Sequence, residues 1–322
     1  MTKVAKNLTP SLPDCCSVAA IGPDHPQANE QAQRLRHQLA DFVRRAADGS
    51  LRLVQPPPHT GWTPRGAGHM HLNAELFLQV QGYTEFRFPQ GQVVLQAGEA
   101  LVVPPKLLHD EWVGAAGGQP FFNIVVHADH QSLSCHSAVE LPAGRPATFF
   151  LESFQGVEAA RIEAWLNDAA KPPPQDAHGL WPLQQRALVL TALSAVARLL
   201  DTPQATASSE PPLLARLRVA VQNRLGDTEL TVAALAQELG CTADYLSNLY
   251  SRSTGEHLWQ VVLRQRLMRA ARLLAESDSA VKEIAWCCGF ASASHFIRSF
   301  RLQFGMTPKS YRSEARATAP AA

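Results

Sequence analysis

The chain has 322 residues, 46% of them apolar and 18% charged: enough for two domains with cores of their own, and too apolar for a disordered chain. Its net charge of +1 conceals an asymmetry, because residues 213–322 carry 14 Lys+Arg against 9 Asp+Glu (net +5) and residues 1–212 carry 15 against 19 (net −4). A basic C-terminal part suits a polyanion, and an acidic N-terminal part does not.

Residues 1–28 are rich in Pro, Asp and Ser, and the composition predicts a mobile tail. Its prolines interrupt any export-signal core, and no apolar run approaches the ~20 residues of a membrane helix. The expectation is a cytoplasmic protein without membrane contact whose six cysteines are reduced. The vicinal pair Cys287–Cys288 falls in a helical pattern and reads as core rather than as a redox centre; Cys15–Cys16 lies in the tail.

"NEQAQRLRHQLADFVRRAA", from Asn29 to Ala47, predicts a helix with Leu35, Leu39, Phe42 and Val43 on one stripe. The period then changes. Between Leu51 and about Phe150 the short apolar runs "LRLVQ", "ELFLQVQG", "TEFRF", "QVVLQ", "EALVVP", "FFNIVVH" and "ATFFL" alternate with turn residues, which predicts an antiparallel sandwich or barrel.

Within that region "GHMHLNAELFLQVQG" holds two histidines two residues apart and a glutamate four further on. Side chains alternate along a strand, so His69 and His71 face the same way, with Glu75 opening the next strand. "GEALVVPPKLLH" ends in His109, about 34 residues later. Three imidazoles and one carboxylate suit a divalent transition metal, namely Fe, Mn, Ni or Zn, with positions left open. His59, His127, His130 and His136 are candidates to join the pocket, although a loop or surface position is the favoured reading for each.

This arrangement resembles the cupin superfamily of small β-barrels. Its first motif is matched by His69, His71, Glu75 and Gly82, and its second by Gly98, Pro104 and His109. Lys106 stands where a glycine is usual, and Val113 where an asparagine is usual. The resemblance leaves two occupants open: a metal, or a small organic effector for which the histidines merely line the pocket.

After Leu151 helical patterns return. Leu183, Leu190, Leu193, Ala197 and Leu200 fall at near-heptad spacing on a helix that either pairs with its copy in a homodimer or covers one face of the barrel. The sensor region is therefore taken as 29–201. "TPQATASSEPP", residues 202–212, is a linker by composition.

From Leu213 to about residue 316 every periodic segment is helical, and the segment repeats itself. Ala236 and Gly240 correspond to Ala285 and Gly289, and Leu246, Tyr250 and Gly255 to Phe296, Phe300 and Gly305. Each half reads as a helix, a glycine turn and a second helix. Thr242 and Ser292 stand at N-cap positions. The free faces of the second helices hold Asp244, Ser247, Asn248 and Ser251 in the first repeat, and Ala293, Ser294, Ile297, Arg298 and Arg301 in the second. Arg pairs with guanine, Asn with adenine, and small or apolar residues meet the thymine methyl. The joining segment, 257–275, predicts a helix about 28 Å long, against roughly 34 Å between successive major-groove faces. Arg264, Arg266, Arg269 and Arg272 on it are candidate phosphate contacts or solubilising charges.

The C-terminal pattern resembles the DNA-binding domain of the AraC/XylS family of transcription regulators. It is carried by Ile284-Ala285, Gly289-Phe290, Phe296, Arg298, Phe300, Gly305, Thr307-Pro308 and Tyr311-Arg312. The resemblance implies double-stranded DNA, a small-molecule effector and RNA polymerase as partners. The whole chain then reads as a two-domain α+β regulator: a cupin-like antiparallel barrel with flanking helices, followed by an all-α domain of two helix-turn-helix units. The alternative is a metal-dependent cupin enzyme, of oxygenase or isomerase type, fused to a DNA-binding domain. No general base for it is identifiable from the sequence.

Overall fold

The computed structural model describes residues 19–21, 28–58, 69–115, 120–128, 132–141, 145–155, 157–200 and 211–318. Helix α1 (Ala28–Asp48) buries Leu35, Leu39 and Phe42 on one face, as its 3.6-residue period requires, with Val43 at the margin.

Among the described residues, ten strands form two sheets. They are β1 (Ala19–Ile21), β2 (Arg52–Val54), β3 (Glu75–Gln81), β4 (Tyr83–Phe88), β5 (Gly91–Gln96), β6 (Glu99–Val103), β7 (Asp110–Gly114), β8 (Phe122–Ala128), β9 (Ser132–Leu141) and β10 (Arg145–Gln155). One sheet runs β1-β10-β9-β8-β3-β6-β2 and the other β5-β4-β7. The two sheets do not close into the expected barrel, and the pairings β1–β10 and β2–β6 are parallel. Ala19–Ile21 pairs with Ala147–Phe149, so the stretch expected to be a mobile tail contributes an edge strand. Gly82 turns β3 into β4 at φ 67°, where a Cβ would lie 2.4 Å from Gly114 O.

Alternation along β3 divides the core. Leu76 and Leu78 point to a layer formed by α1, α2 (Val157–Ala169) and α3 (Trp181–Leu200), where Leu39, Phe42, Ile162, Val189 and Leu193 pack. Glu75, Phe77 and Gln79 share the opposite side, and Phe77 meets Phe86, Phe88 and Leu95 between the sheets. Helix α3 buries Gln185, Val189, Leu193, Val196 and Leu200, whereas Leu183 is exposed. The near-heptad row is therefore not one seam: Leu193 and Leu200 are buried in the core that α3 shares with α1 and α2, so α3 packs on those helices rather than on the sheet itself.

The C-terminal domain comprises α4 (Pro212–Arg224), α5 (Val232–Glu238), α6 (Ala243–Thr254), α7 (Leu258–Glu276), α8 (Val281–Cys287), α9 (Ala293–Phe304) and α10 (Pro308–Thr318). Proline suits the first turn of α4, where its missing N–H has no partner to lose. Leu235, Leu246, Leu258 and Val262 build one core, and Leu267, Leu274, Ile284, Phe296 and Phe300 a second. Helix α7 thus lends its first half to one unit and its second half to the other. Cys288 is fully buried and its thiol is pushed up to about 12 by that burial, as an inert core residue would be. Cys15–Cys16, His59, His130 and residues 202–210 of the linker lie outside the described residues. No helix among the described residues is long and apolar enough to cross a membrane.

Candidate metal centre and candidate nucleic-acid interface

His69, His71, Glu75 and His109 converge at one end of the space between the sheets, with a nitrogen or oxygen from each within 4.8 Å of the others. Each is positioned by backbone pairing. His69 and His109 form an isolated antiparallel bridge, with N–H to O distances of 2.8 and 2.9 Å. Glu75 is gripped on both sides, opposite Val103 of β6 and His127 of β8. His109 Nδ1 lies 2.9 Å from Leu107 O and donates to it, so Nε2 points into the site. Phe77, Phe86 and Phe88 ring His109 at centroid distances of 6.3–6.4 Å and keep that side dry.

His71 Nε2, Glu75 Oε2 and His109 Nε2 are buried and have no hydrogen-bond partner. Buried polar atoms are almost always satisfied, and leaving one bare costs roughly 1–3 kcal/mol. Three such atoms facing one point fit a ligand that takes lone pairs, and the set of three imidazoles and a carboxylate suits a divalent transition metal.

Glu111 joins the site. Its Oε1 lies 3.5 Å from His109 Nε2 and 3.7 Å from His69 Nε2, and Glu75 Oε2 lies 3.6 Å from His109 Nε2, all ion-pair rather than hydrogen-bond distances. Burial opposes a charge on His109, but Glu111 and Glu75 together outweigh it and raise the imidazole to about 10. Burial drives His71 well below its ordinary value, and burial with the charge on His109 lowers His69. Burial alone would raise Glu75, yet His71, His109 and His127 hold its carboxyl below the usual range. His69 and Glu111 retain 31% and 24% of their side-chain surface, so the site opens between them.

Sequence reasoning missed Glu111, although it follows His109 by two residues and so falls on the same face of an extended chain. It also expected His127 and His136 on loops or the surface. Both lie on strands, β8 and β9, and the His127 ring is 4.9 Å from His71 with its Nδ1 buried and unpartnered. Burial lowers His136 to about 4.

In the helical domain, Thr242 Oγ1 accepts from Tyr245 N–H at 3.2 Å and Ser292 Oγ from His295 N–H at 3.4 Å, capping α6 and α9 as expected. Both helices end at glycines in the left-handed region, Gly255 and Gly305. Leu246, Phe296 and Phe300 bury the inner faces. Asp244 and Asn248 are exposed, and Ser247 and Ser251 half-buried, on α6; Ser294, Ile297, Arg298 and Arg301 are exposed, and Ala293 half-buried, on α9.

The arginines of α7 depart from expectation. Arg266 is buried and donates to Leu225 O and Asp227 O at 3.0 and 2.6 Å. Arg269 is buried and donates to Met70 O at 2.9 Å. Arg264 is paired with Glu256 through two hydrogen bonds, and Arg272 reaches Glu276 and Asn73. They serve as internal ties, not as a row of free cations.

Residues 60–138 match a family described as the AraC-like ligand binding domain, and residues 235–314 one described as a helix-turn-helix domain. The transcriptional activator NphR of a Rhodococcus species is 32% identical over 141 residues, covering 41% of this chain and 42% of that protein. The HTH-type transcriptional activator RhaS of Pectobacterium atrosepticum is 29% identical over 182 residues, covering 47% and 65%. An uncharacterized HTH-type transcriptional regulator of Bacillus subtilis, YtdP, is 36% identical over 90 residues, covering 28% and 12%. The matches therefore span between 12% and 65% of the length of these relatives.

Proposed function

We propose that this chain, which joins an AraC-type helix-turn-helix domain to an AraC-like ligand-binding domain, is a DNA-binding transcription regulator whose N-terminal domain senses a metal or a small metal-chelating molecule. The observation that carries the DNA reading is the pair of capped helices, α6 and α9, whose outer faces stay open while α7 ties their cores together. The cap aims the positive end of each helix outward, where phosphate is favoured. Arg298 and Asn248 carry the hydrogen-bonding patterns that read guanine and adenine. Asp244, Ser247, Ser251, Ala293, Ser294, Ile297 and Arg301 complete the two reading faces in this reading, with Arg301 assigned to phosphate.

For the sensor, the reading rests on the three bare buried atoms of His71, Glu75 and His109. His69, His71, Glu75 and His109 would hold a divalent transition metal, which when bound supplies a Lewis-acidic point with open positions for an anionic or chelating effector. The chain's own contribution is a dry floor of phenylalanines, a fixed Nδ1 donor bond on His109, and an opening between His69 and Glu111. An effector shifts the balance between two arrangements of sensor and helical domain only through its different affinity for each.

The test has two arms on the untagged full chain. Selection from a random duplex library should return a preferred sequence whose affinity falls steeply with salt, as counterion release demands; recovery of no preferred sequence overturns the DNA reading. Metal analysis should find near one equivalent of a single transition metal, lost on His69→Ala. No metal after reconstitution makes the histidines the lining of an organic pocket.

A further inference from the structure

The segment from His69 to Asn73 is a short strap with two faces. Extended backbone alternates sides, so His69 and His71 turn into the four-donor site while Met70 and Leu72 turn away. Met70 is 4% exposed and belongs to the core of the second helical unit, with Leu267, Ala271, Leu274 and Phe290; Leu72 packs on the same cluster. Two hydrogen bonds reinforce the contact: Arg269 Nη2 donates to Met70 O at 2.9 Å, and Arg272 Nη1 to Asn73 Oδ1 at 2.8 Å. The residues that would hold the ion and the residues that hold the helical domain thus alternate along one stretch of backbone.

Lys106 supplies a third tie. Its N–H donates to His71 O at 2.7 Å, and its ammonium pairs with Glu276 at the end of α7. It is the one non-glycine at positive φ among the described residues, at 65°. A side chain there costs roughly 1–2 kcal/mol that glycine avoids. The motif of the sensor domain leads one to expect glycine at this position. A lysine does what glycine cannot: it reaches across to the helical domain.

The donor atoms lie within 4.8 Å of one another, whereas bonds of about 2.0–2.2 Å hold two donors on one ion within roughly 4.4 Å. Binding therefore draws the set together. Glu75 is clamped between two strands and His109 is pinned through Nδ1. The strap, joined to its own domain through the bridge at His69 and the bond to His71 O, is the softer side.

Building on the metal reading above, we propose that the strap couples the site to the second helix-turn-helix unit: closing of His69, His71, Glu75 and His109 on a divalent cation withdraws Met70 and Leu72 and loosens the Lys106–Glu276 tie, releasing α7 from the sensor. Coupling of this kind is reciprocal, so loosening the tie must in turn favour the ion.

The test uses Zn(II) alone as the probe, with full-length wild type, Lys106→Gly, Glu276→Gln and the double variant, and reads affinity by competition with a chromophoric chelator. Each single variant should bind Zn(II) tighter, by roughly 5- to 20-fold, and the double variant no tighter than the better single, because the contact across the two domains that both remove is the same Lys106–Glu276 pair; the Arg272–Glu276 pair that Glu276→Gln also weakens lies within α7. The charges make the outcome diagnostic. Simple electrostatics predicts tighter binding when the lysine is lost and weaker binding when the glutamate is neutralised, so only coupling moves both the same way. Hydrogen exchange should quicken across Leu267–Leu274 when Zn(II) binds the wild type, and the zinc-free double variant should already exchange faster there than the zinc-free wild type. Equal affinities, or shifts in opposite directions, overturn the coupling while leaving the metal site intact; no Zn(II) uptake by the wild type overturns both.

Discussion

Gly240 and Gly289 hold the same place in the two helical repeats and the same backbone, φ 72° and 77°, yet their surroundings differ. A Cβ on Gly240 would meet nothing within 4 Å, whereas one on Gly289 would lie 2.6 Å from Leu225 O and 2.6 Å from Arg266 Cζ. Gly240→Ala should therefore cost only the left-handed conformation, about 1–2 kcal/mol. Gly289→Ala adds overpacking of about 1–3 kcal/mol against backbone that cannot step aside. It also threatens the bonds by which buried Arg266 satisfies Leu225 O and Asp227 O. The two terms together come to about 2–5 kcal/mol, against a domain stability of about 5–15 kcal/mol. For a domain of this size the difference between the variants separates their unfolding midpoints by roughly 10 °C. Thermal unfolding, with hydrogen exchange assigning the transition to α7–α9, reads this directly. Two alanine variants melting together would refute the packing of α4 and Arg266 onto the second turn.

Arg298→Ala should cost about 1–3 kcal/mol of binding on the preferred sequence and little on others, because Arg298 is exposed on the reading face of α9; an equal loss on every duplex, measured by competition binding, would assign it to phosphate instead. Metal affinity should climb with pH. The ion must displace a proton from His109, held to about 10, while His69 and His71, both lowered, are already neutral at pH 7. From pH 6.5 to 8.5 the affinity should therefore rise about tenfold per unit with one proton released, as calorimetry in buffers of different ionisation enthalpy would report. An affinity flat with pH would mean that His109 is not a ligand.

Much of this architecture is legible from periodicity. The stripe of α1, the apolar runs of β3 to β6 and the paired glycine turns of the helical domain each follow from one local rule. Strand β9 was not visible because its inward slots hold Cys135 and Ser137 beside Leu133 and Val139, so its alternation is there without the apolar contrast. Strand β7 is half-buried throughout and offers no alternation. Both gaps hid titratable residues of this domain: Glu111, which joins the site, travels on β7, and His136, its ring buried, on β9. The convergence of the four side chains was readable because His69 and His71 sit on one side of extended chain, and spacing marks Glu75 and His109.

The arginines of α7 carry a different lesson. A guanidinium counts as +1 wherever it lies, so the net charge of +5 over residues 213–322 overstates the surface available to a polyanion. Arg266 and Arg269 are buried, and Arg264 and Arg272 are paired with Glu256 and Glu276. The exposed cations left on and beside the reading helices are Arg252 on α6, Lys282 on α8, Arg298 and Arg301 on α9, and Lys309 on α10. They crowd the second unit, whose reading face is otherwise small and weakly polar, while the first unit has Asn248 and Asp244. A division of labour follows, with the first unit suited to discriminate bases through Asn248 and the second to hold the backbone around a single base reader, Arg298. Met70 of the strap is lodged in the second unit's core, not the first's. A sensor that tugs on the second unit acts on its backbone-holding cations and on Arg298 together, so its effect should appear as a change in overall affinity and salt dependence, with a change in preference confined to the base that Arg298 reads.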